Sequence, residues 1–284
     1  MRPVRALLAV LACLALTAAC GGTDAAAFPE GSTMERIRER GVLTVGIKFD
    51  YPLLGFKEPA SGRITGFDAE IARLVARDLT GSERGIRFVE TMPANREHFL
   101  REGVVDIVVA TYSITPARQA MVGFTDPYYV AAQDLLVRAG ETDIDDVGDL
   151  DGRAVCTATG STSVDRLRSL VPGAELVVVD TYSECVPALV AGRIDAVSTD
   201  DTILLGLLDR NPEGLRLVGR PFGREPYGIG VRKDDVVFRA YLNGLIARYL
   251  RDGRWDRAFR DTIGTAGATP ERGRPTPAPA GSAR

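Results

Sequence analysis

Arg118 is the residue whose type and surroundings most clearly indicate ligand chemistry. It follows a β-branched run, residues 104–110, that is typical of a strand buried on both faces, and a polar turn, residues 111–115. Pro116 suits the first position of a helix, because its φ is fixed near the helical value and its missing N–H has no partner there. The free N–H groups of a helix start and the planar fork of Arg118 both bind carboxylates. The stretch therefore predicts a site for a carboxylate ligand.

Other candidate binding residues lie in loops that follow predicted strands. Ligands of open α/β sheets sit beyond the carboxyl ends of the strands, so these loops are expected to face one cleft. Asp201 is instead expected to cap the helix predicted at residues 202–210. The candidates are a cation beside an aromatic residue (Lys48, Tyr51), a second cation (Arg96), a hydroxyl-rich helix start (Thr162) and an acid at a strand end (Asp200).

The predicted strands and helices alternate along the chain, which indicates an α/β fold. Two strands, one at residues 133–138 and one within residues 225–231, are expected to cross between two lobes and to form a hinge. The sequence therefore predicts one lobe made of residues 34–134 with 227–264, and a second lobe made of residues 135–226.

The C-terminal part of the chain carries two further predictions. A helix is expected at residues 236–250, with Val237, Tyr241, Leu245 and Tyr249 on its buried face. Residues 265–284 are rich in Pro, Ala, Gly, Thr and Arg and have no periodicity. They are predicted to form a disordered tail.

The N-terminal residues predict export. Arg2 and Arg5 precede an apolar segment, residues 6–19, that is too short to span a bilayer comfortably and has the form of a signal peptide. Loss of residues 1–19 removes two arginines and no acid, which leaves 33 basic and 38 acidic residues and a formal net charge of −5. Nothing in this balance indicates nucleic-acid binding. Residues 20–33 are expected to be a flexible tether before the first lobe.

The run ATYSITPAR, followed by VGFTDPYY, resembles the signature of bacterial extracellular solute-binding proteins of the polar amino-acid class, family 3. These proteins are the receptors of ABC importers and include glutamate/aspartate-binding lipoproteins. The similarity covers residues 34 to about 263. It implies a two-lobed periplasmic-binding-protein-like (type II) fold with two hinge strands, an amino acid as ligand, and an ABC permease of the inner or cytoplasmic membrane as partner. The matching residues are Thr111, Ser113, Arg118, Phe124, Thr125, Asp126, Pro127, Tyr128 and Tyr129.

The resemblance also implies how the common part of an amino acid would be held. Arg118, Ser113 and the turn at Thr162 would bind the α-carboxylate. Asp200 and the carbonyl group of Thr111 would bind the α-ammonium group. These groups fit any amino acid, so they do not select among side chains.

Selectivity is predicted from the three residues that the resemblance places against the ligand side chain. Tyr51 would form an aromatic wall, and Lys48 and Arg96 would supply two positive charges. A neutral ligand side chain would leave both cations buried without a partner, which costs several kcal/mol. L-Glutamate is therefore expected before aspartate. Glutamine is the alternative, because its amide oxygen can accept a hydrogen bond from one cation.

The four cysteines support export and a crosslink. Cys20 ends the segment LTAAC, which resembles a lipobox, so lipidation of Cys20 and anchoring to the outer face of the cytoplasmic membrane are expected. Ordinary cleavage near Ala19 is the alternative. Once Cys13 is removed with the signal peptide, Cys156 and Cys185 remain in an oxidising compartment. A disulfide between them is predicted, and two buried free thiols are the alternative.

Two other classes of function are consistent with the predicted fold. Related periplasmic folds include dehydratases, but the sequence shows no nucleophile elbow, no Cys–His pairing, no metal-ligand cluster and no cofactor motif, and its one histidine, His98, lies inside a predicted helix. An enzyme is therefore not expected. The second class is a sensor that binds an amino acid without passing it to a transporter. In either case the protein is expected to be a monomer.

Overall fold

The computed structural model describes residues 28–276, and its helices alternate with strands over most of that stretch. Ser32 begins the first helix, because its side chain accepts a hydrogen bond from the backbone N–H of Glu35, and Gly41 ends it with a left-handed φ of 68°. The helices within the described residues are α1 (Thr33–Arg40), α2 (Phe67–Thr80), α3 (Arg96–Arg101), α4 (Pro116–Met121), α5 (Thr162–Leu170), α6 (Cys185–Val190), α7 (Asp201–Asp209), α8 (Val236–Arg251), α9 (Arg254–Arg260) and α10 (Pro270–Gly273).

The strands of the described residues form three sheets. The first has five strands in the order β5-β1-β6-β14-β7, the second has six strands with the order β10-β9-β11-β8-β12 and β13 beside β8, and the third is a small sheet, β2-β3-β4. The strands are β1 (Leu43–Ile47), β2 (Asp50–Tyr51), β3 (Gly55–Lys57), β4 (Ile64–Thr65), β5 (Ile86–Glu90), β6 (Ile107–Val108), β7 (Gly123–Phe124), β8 (Tyr129–Arg138), β9 (Ala154–Ala158), β10 (Glu175–Val179), β11 (Ala196–Asp200), β12 (Leu215–Leu217), β13 (Phe222–Tyr227) and β14 (Gly230–Val231).

The first sheet has a parallel half built on β1. All five residues of β1 are buried, and the strand pairs in parallel with β5 on one side and β6 on the other. The strand predicted at residues 104–110 is shorter than expected. The side chain of Asp106, rather than a backbone carbonyl, accepts the hydrogen bond of the Thr44 N–H at 2.8 Å, and Val104 is exposed, so regular pairing is confined to β6.

The second sheet repeats this arrangement and contains both connections to the first. β9 pairs in parallel with β10 and β11, while β8 is antiparallel to β11, β12 and β13. β8 follows β7 of the first sheet, and β13 leads back to β14, with Tyr129 opposite Tyr227 where the two crossing strands meet. The predicted two-lobed α/β fold with two hinge strands is confirmed.

The predicted disulfide is present. It joins Cys156 on β9 to Cys185, the first residue of α6, with a Cα–Cα distance of 5.8 Å. Both residues are fully buried in the second lobe. The alternative of two free thiols is therefore wrong, and the bond ties the central part of the second sheet to the helix that covers it.

The buried face of α8 differs from the prediction. Leu245 and Tyr249 are buried as predicted, but Val237 is half exposed, and Phe238 and Leu242 complete the buried stripe in the first half of the helix. One residue turns a helix by about 100°, so a shift of the stripe by a single position moves Val237 to the solvent side. The bulkier Phe238 occupies the core position, and Asp235 caps the helix by accepting a hydrogen bond from the Phe238 N–H at 3.1 Å.

The prediction of a disordered tail is wrong for residues 265–276. A 3-10 turn (Ile263–Ala266) and α10 are followed by Arg274, whose guanidinium lies 5.3 Å from the centre of the Trp255 ring and donates to the Leu250 carbonyl at 2.6 Å. Gly273 is buried directly against Tyr129. The sequence of this segment has no periodicity that predicts order. The segment is ordered by contacts with aromatic side chains elsewhere in the chain, and such contacts do not appear in local composition.

Several predictions lie outside the described residues. These are the signal peptide (residues 1–19), most of the tether (residues 20–33), the lipidation of Cys20, and the last residues of the tail, 277–284. None of the helices between residues 28 and 276 combines the length and the apolar character that a membrane-spanning helix needs.

Candidate ligand-binding site

A cavity of about 10 Å³ lies between the two lobes. Its wall is built from the loops after β1, β5 and β6 on one side and from the ends of β9, β10 and β11 on the other, all at carboxyl ends of parallel strands. This volume is room for about one water molecule, so the lobes have to separate before a larger ligand can enter. The lining residues are Tyr51, Pro93, Arg96, Thr111, Ser113, Arg118, Ser161, Thr162, Ser163, Tyr182, Thr199, Asp200 and Ile203.

The structure brings together seven of the eight predicted binding residues. They are Tyr51, Arg96, Thr111, Ser113, Arg118, Thr162 and Asp200. Lys48 is not among the lining residues.

Arg118 lies on α4 and is held in place by backbone groups from both lobes. The side chain of Thr115 caps the helix and accepts a hydrogen bond from the Arg118 N–H at 3.2 Å. The guanidinium donates to the Ser113 carbonyl at 2.8 Å and, across the cavity, to the Gly160 carbonyl at 2.8 Å. Burial, and secondarily the charge of Arg96, lower the pKa of Arg118. The two carbonyl groups therefore hold the guanidinium at the cavity wall.

Arg96, the first residue of α3, adds a second buried cation. It is 3% exposed, and its guanidinium lies 5.1 Å from the centre of the Tyr112 ring, which Arg118 approaches to 5.2 Å. Among residues 28–276 its Nε has no hydrogen-bond partner. The nearest ion pair of this group is a 3.6 Å contact between Arg118 and Glu97. This side of the cavity therefore favours a negatively charged ligand group.

Lys48 is fully buried behind the cavity wall and is paired with a residue of its own loop. Its ammonium group lies 3.0 Å from a carboxylate oxygen of Asp50 and 4.8 Å from the centre of the Tyr51 ring. Burial lowers the pKa of Lys48, and Asp50 opposes that shift. Asp50 also accepts hydrogen bonds from Thr181 and from Ser183, at 2.6 Å, in the second lobe. Lys48 therefore supports a contact between the lobes, and the Lys-x-Asp spacing was the available signal.

Asp200 is the acid that the second lobe presents to the cavity. It occupies the residue before α7 but caps nothing, and its carboxylate accepts a hydrogen bond from the hydroxyl of Tyr227 at 2.5 Å. Burial, and then the neighbouring Glu225, raise the pKa of Asp200. The predicted capping role of Asp201 is wrong. Asp201 is the first residue of α7, one position too late to cap it, and its side chain accepts from the N–H groups of Thr202 at 2.8 Å and Ala132 at 3.4 Å.

Thr162 opens α5, and its hydroxyl belongs to a cluster that the sequence did not reveal. It donates to Glu225 on β13 at 2.9 Å, and Arg166 pairs with the same carboxylate. Glu225 is 1% exposed. Tyr182 and Ile203 also line the cavity and were not predicted. An acid inside the second crossing strand was the one visible signal for Glu225, whereas Tyr182 and Ile203 resemble ordinary core residues.

Several polar atoms at the cavity lack a hydrogen-bond partner within residues 28–276. They are the hydroxyls of Tyr51 and Ser161 and the Nε of Arg96. An unpaired buried polar atom costs about 1–3 kcal/mol, so such atoms are rare away from functional sites. The same part of the chain has no group of three or more residues that could hold a metal ion. The arrangement suits a small organic ligand with several hydrogen-bonding groups.

Two α/β lobes, two adjacent crossing strands and a polar cavity between them define a solute receptor of the two-lobed periplasmic-binding-protein type. The chain belongs to the family described as bacterial extracellular solute-binding proteins, family 3, which matches residues 43–265. The resemblance seen in the sequence around Arg118 is thereby confirmed. An extracellular family also agrees with the predicted export.

Relatives with assigned ligands fall into more than one specificity class. Glutamate-binding protein GluB of Corynebacterium efficiens is 36% identical over 277 residues, covering 94% of this chain and 92% of the relative. ABC transporter glutamine-binding protein GlnH of Bacillus subtilis is 36% identical over 254 residues, covering 87% and 92%. The crystal structure of a cysteine-binding protein from Campylobacter jejuni matches with a TM-score of 0.80 and 25% identity, covering 85% of this chain and 98% of that one.

Proposed function

We propose that the protein is the extracytoplasmic substrate-binding component of an amino-acid ABC transporter and captures L-glutamate by closure of its lobes. The observation that carries this proposal is the cavity itself, in which the buried guanidinium groups of Arg96 and Arg118 face the carboxylate of Asp200 across a small space. Two positive groups and one negative group match the two carboxylates and one ammonium of glutamate. Relatives that bind glutamate or glutamine support the ligand class.

Each part of the ligand has partners in this proposal. Arg118, with Ser113 and the helix start at Thr162, binds the α-carboxylate. Asp200, with the Thr111 carbonyl, binds the α-ammonium group. Tyr51 packs on the ligand side chain, and Arg96 binds its terminal carboxylate. Lys48 does not contact the ligand and instead pairs with Asp50.

Glutamine is the second candidate ligand, and the pairing of Lys48 with Asp50 favours it. Because Asp50 balances the charge of Lys48 at 3.0 Å, one cation rather than two faces the ligand side chain. A glutamine amide oxygen can accept from Arg96 without leaving a second buried charge unpaired. The choice between the two ligands therefore depends on how strongly Arg96 alone prefers a carboxylate.

The variant Arg96→Ala is expected to narrow the preference for glutamate over glutamine by at least about tenfold, or 1.4 kcal/mol. The reason is that a charged hydrogen-bond partner gains more from a carboxylate than from an amide. Calorimetric titration of each purified variant with L-glutamate and L-glutamine measures both affinities.

Lys48→Met is the matched comparison for Arg96→Ala, because it removes the neighbouring buried cation. It is expected to weaken both ligands by the same factor, since Lys48 is paired with Asp50 and lies outside the cavity lining. If Arg96→Ala leaves the ratio of the two affinities unchanged, the assignment of Arg96 to the ligand side chain is wrong.

Ligand binding is expected to bring the two lobes together, with residues 34–134 and 227–264 moving as one body and residues 135–226 as the other. Hydrogen bonds between the lobes stabilise the closed arrangement. Examples are those from Arg118 to the Gly160 carbonyl and from Ser183 to Asp50. Small-angle scattering should record a smaller radius of gyration at saturating L-glutamate or L-glutamine. An unchanged radius at saturation would exclude closure.

The remaining parts of the proposal concern partners and location. We propose anchoring of the mature protein through a lipid on Cys20, a permease in the same membrane as its partner, and a monomeric state. An enzyme is not supported, since His98 is exposed on α3 and does not line the cavity. Turnover of a bound amino acid would favour the enzyme, and a capture that no permease accepts would favour a sensor.

A further inference from the structure

The buried carboxylate of Asp68 has no place among the cavity residues, yet it holds one of them. Asp68 is the second residue of α2 and is 1% exposed. One of its oxygens accepts a hydrogen bond from the backbone N–H of Thr111 at 2.9 Å, and the other accepts from the hydroxyl of Tyr128 at 2.8 Å. Burial raises the pKa of Asp68 to about 6, so above that pH the group is ionised and both oxygens accept.

Thr111 needs such a partner because its backbone is strained. Its φ is 45°, in the left-handed region that β-branched residues rarely adopt. The Thr111 hydroxyl donates to the carbonyl of the preceding residue, Ala110, at 2.8 Å. The Thr111 side chain therefore makes no hydrogen bond to another segment that would hold the Thr111 peptide in place. The contact that fixes the Thr111 N–H comes from Asp68. Because Thr111 lines the cavity, that contact also fixes part of the cavity wall.

The other oxygen of Asp68 is tied to the start of the first crossing strand. Tyr128, which precedes β8, donates its hydroxyl to Asp68 and its N–H to the Tyr227 carbonyl at 2.8 Å, and its own carbonyl accepts from the indole of Trp255 at 2.7 Å. These bonds leave Tyr128 little freedom. The hydrogen bond from Tyr128 therefore fixes the orientation of the Asp68 carboxylate, so that its other oxygen accepts from the Thr111 N–H.

We propose that Asp68 is a positioning residue for ligand capture, which holds the strained Thr111 peptide so that its carbonyl receives the α-ammonium group. The inference rests on the proposed function, because it needs a ligand with an ammonium group at this wall. It assigns to Asp68 no contact with the ligand.

The test compares the parent protein with three variants of Asp68 and one control variant by calorimetric titration with L-glutamate and with L-glutamine. Asp68→Ala is expected to lower the affinity for both ligands at least tenfold and by the same factor, because both ligands carry the α-ammonium group. Asp68→Asn is expected to stay within threefold of the parent, since its amide oxygen can accept from Thr111 while its NH₂ group faces the Tyr128 oxygen. Asp68→Ser, which is too short to reach Thr111, should repeat the loss and serves if the alanine variant does not fold.

Asp78→Ala is the matched control on the same helix. Asp78 also joins a tyrosine hydroxyl, that of Tyr249 at 2.5 Å, to a second element through Arg254 at 3.2 Å, but it lies away from the cavity. It is expected to lower the melting temperature without changing either affinity. A merely structural role of Asp68 would give the same pattern as Asp78.

The outcomes separate this inference from the proposed function. If the parent protein binds neither amino acid, the proposed function fails. If the parent binds and the alanine and serine variants bind equally well, or if Asp68→Asn loses as much as they do, the proposal for Asp68 is overturned and the proposed function stands.

Discussion

Arg118→Ala is expected to weaken the binding of every amino acid by at least about 30-fold. The variant removes a buried cation that donates to backbone carbonyls of both lobes and that we assign to the α-carboxylate, the group common to all amino acids. Truncating one partner of a buried, hydrogen-bonded charge pair costs about 2–5 kcal/mol, which corresponds to roughly a 30-fold to several-thousand-fold loss of affinity. Calorimetric titration with L-glutamate and L-glutamine measures the loss.

Arg138→Ala is the control for this experiment. Arg138 also donates to two backbone carbonyls, those of Leu189 at 3.2 Å and Ile194 at 2.6 Å, but it lies in the second sheet away from the cavity. Its loss should lower stability and leave affinity unchanged. If Arg118→Ala binds any amino acid as tightly as the parent protein, the α-carboxylate is held elsewhere.

Removing the disulfide is expected to lower the free energy of unfolding by about 3–4 kcal/mol, because the bond closes a loop of 29 residues and restricts the unfolded chain. The double variant Cys156→Ala with Cys185→Ala removes it without leaving one unpaired thiol. Urea unfolding, followed by circular dichroism, gives the two free energies. Ligand affinity should be unchanged, because neither cysteine lines the cavity.

The oxidised state of the parent protein can be checked directly. Mass spectrometry of the unreduced protein should show no alkylation at Cys156 or Cys185, and alkylation of both after reduction. Alkylation of both without reductant, together with an unchanged free energy of unfolding in the double variant, would contradict the crosslink.

The sequence was sufficient to predict most of the candidate residues that line the cavity, because a buried strand has a recognisable composition and its carboxyl end has a known direction. That rule is enough to place Arg118, Arg96 and Thr162 at one cavity. The rule predicts which residues of the chain lie at the carboxyl edge of a sheet. It does not say which way a side chain turns once the chain has reached the edge of the sheet.

The failures follow from that limit. Lys48 lies at the predicted edge, but Asp50 balances its charge. The Lys-x-Asp spacing is visible in the sequence, but it does not show whether the lysine pairs with its neighbour or with a ligand. Glu225 was overlooked for the related reason that its partners, Thr162 and Arg166, come from a distant segment. The predicted face of α8 is correct at Leu245 and Tyr249 and wrong at Val237, because the apolar side chains of this helix extend over more than one stripe.

The contacts of the segment around α10 limit where the protein can be truncated or fused to another domain. The match to the family ends at residue 265, yet Gly273 lies so close to Tyr129 that an added Cβ would stand 2.1 Å from the ring. Only a residue without a side chain fits there, and Arg274 covers Trp255 beside it. A recombinant version trimmed at the family boundary would expose two aromatic rings at the root of the hinge. Reporter domains and affinity tags therefore belong after residue 276.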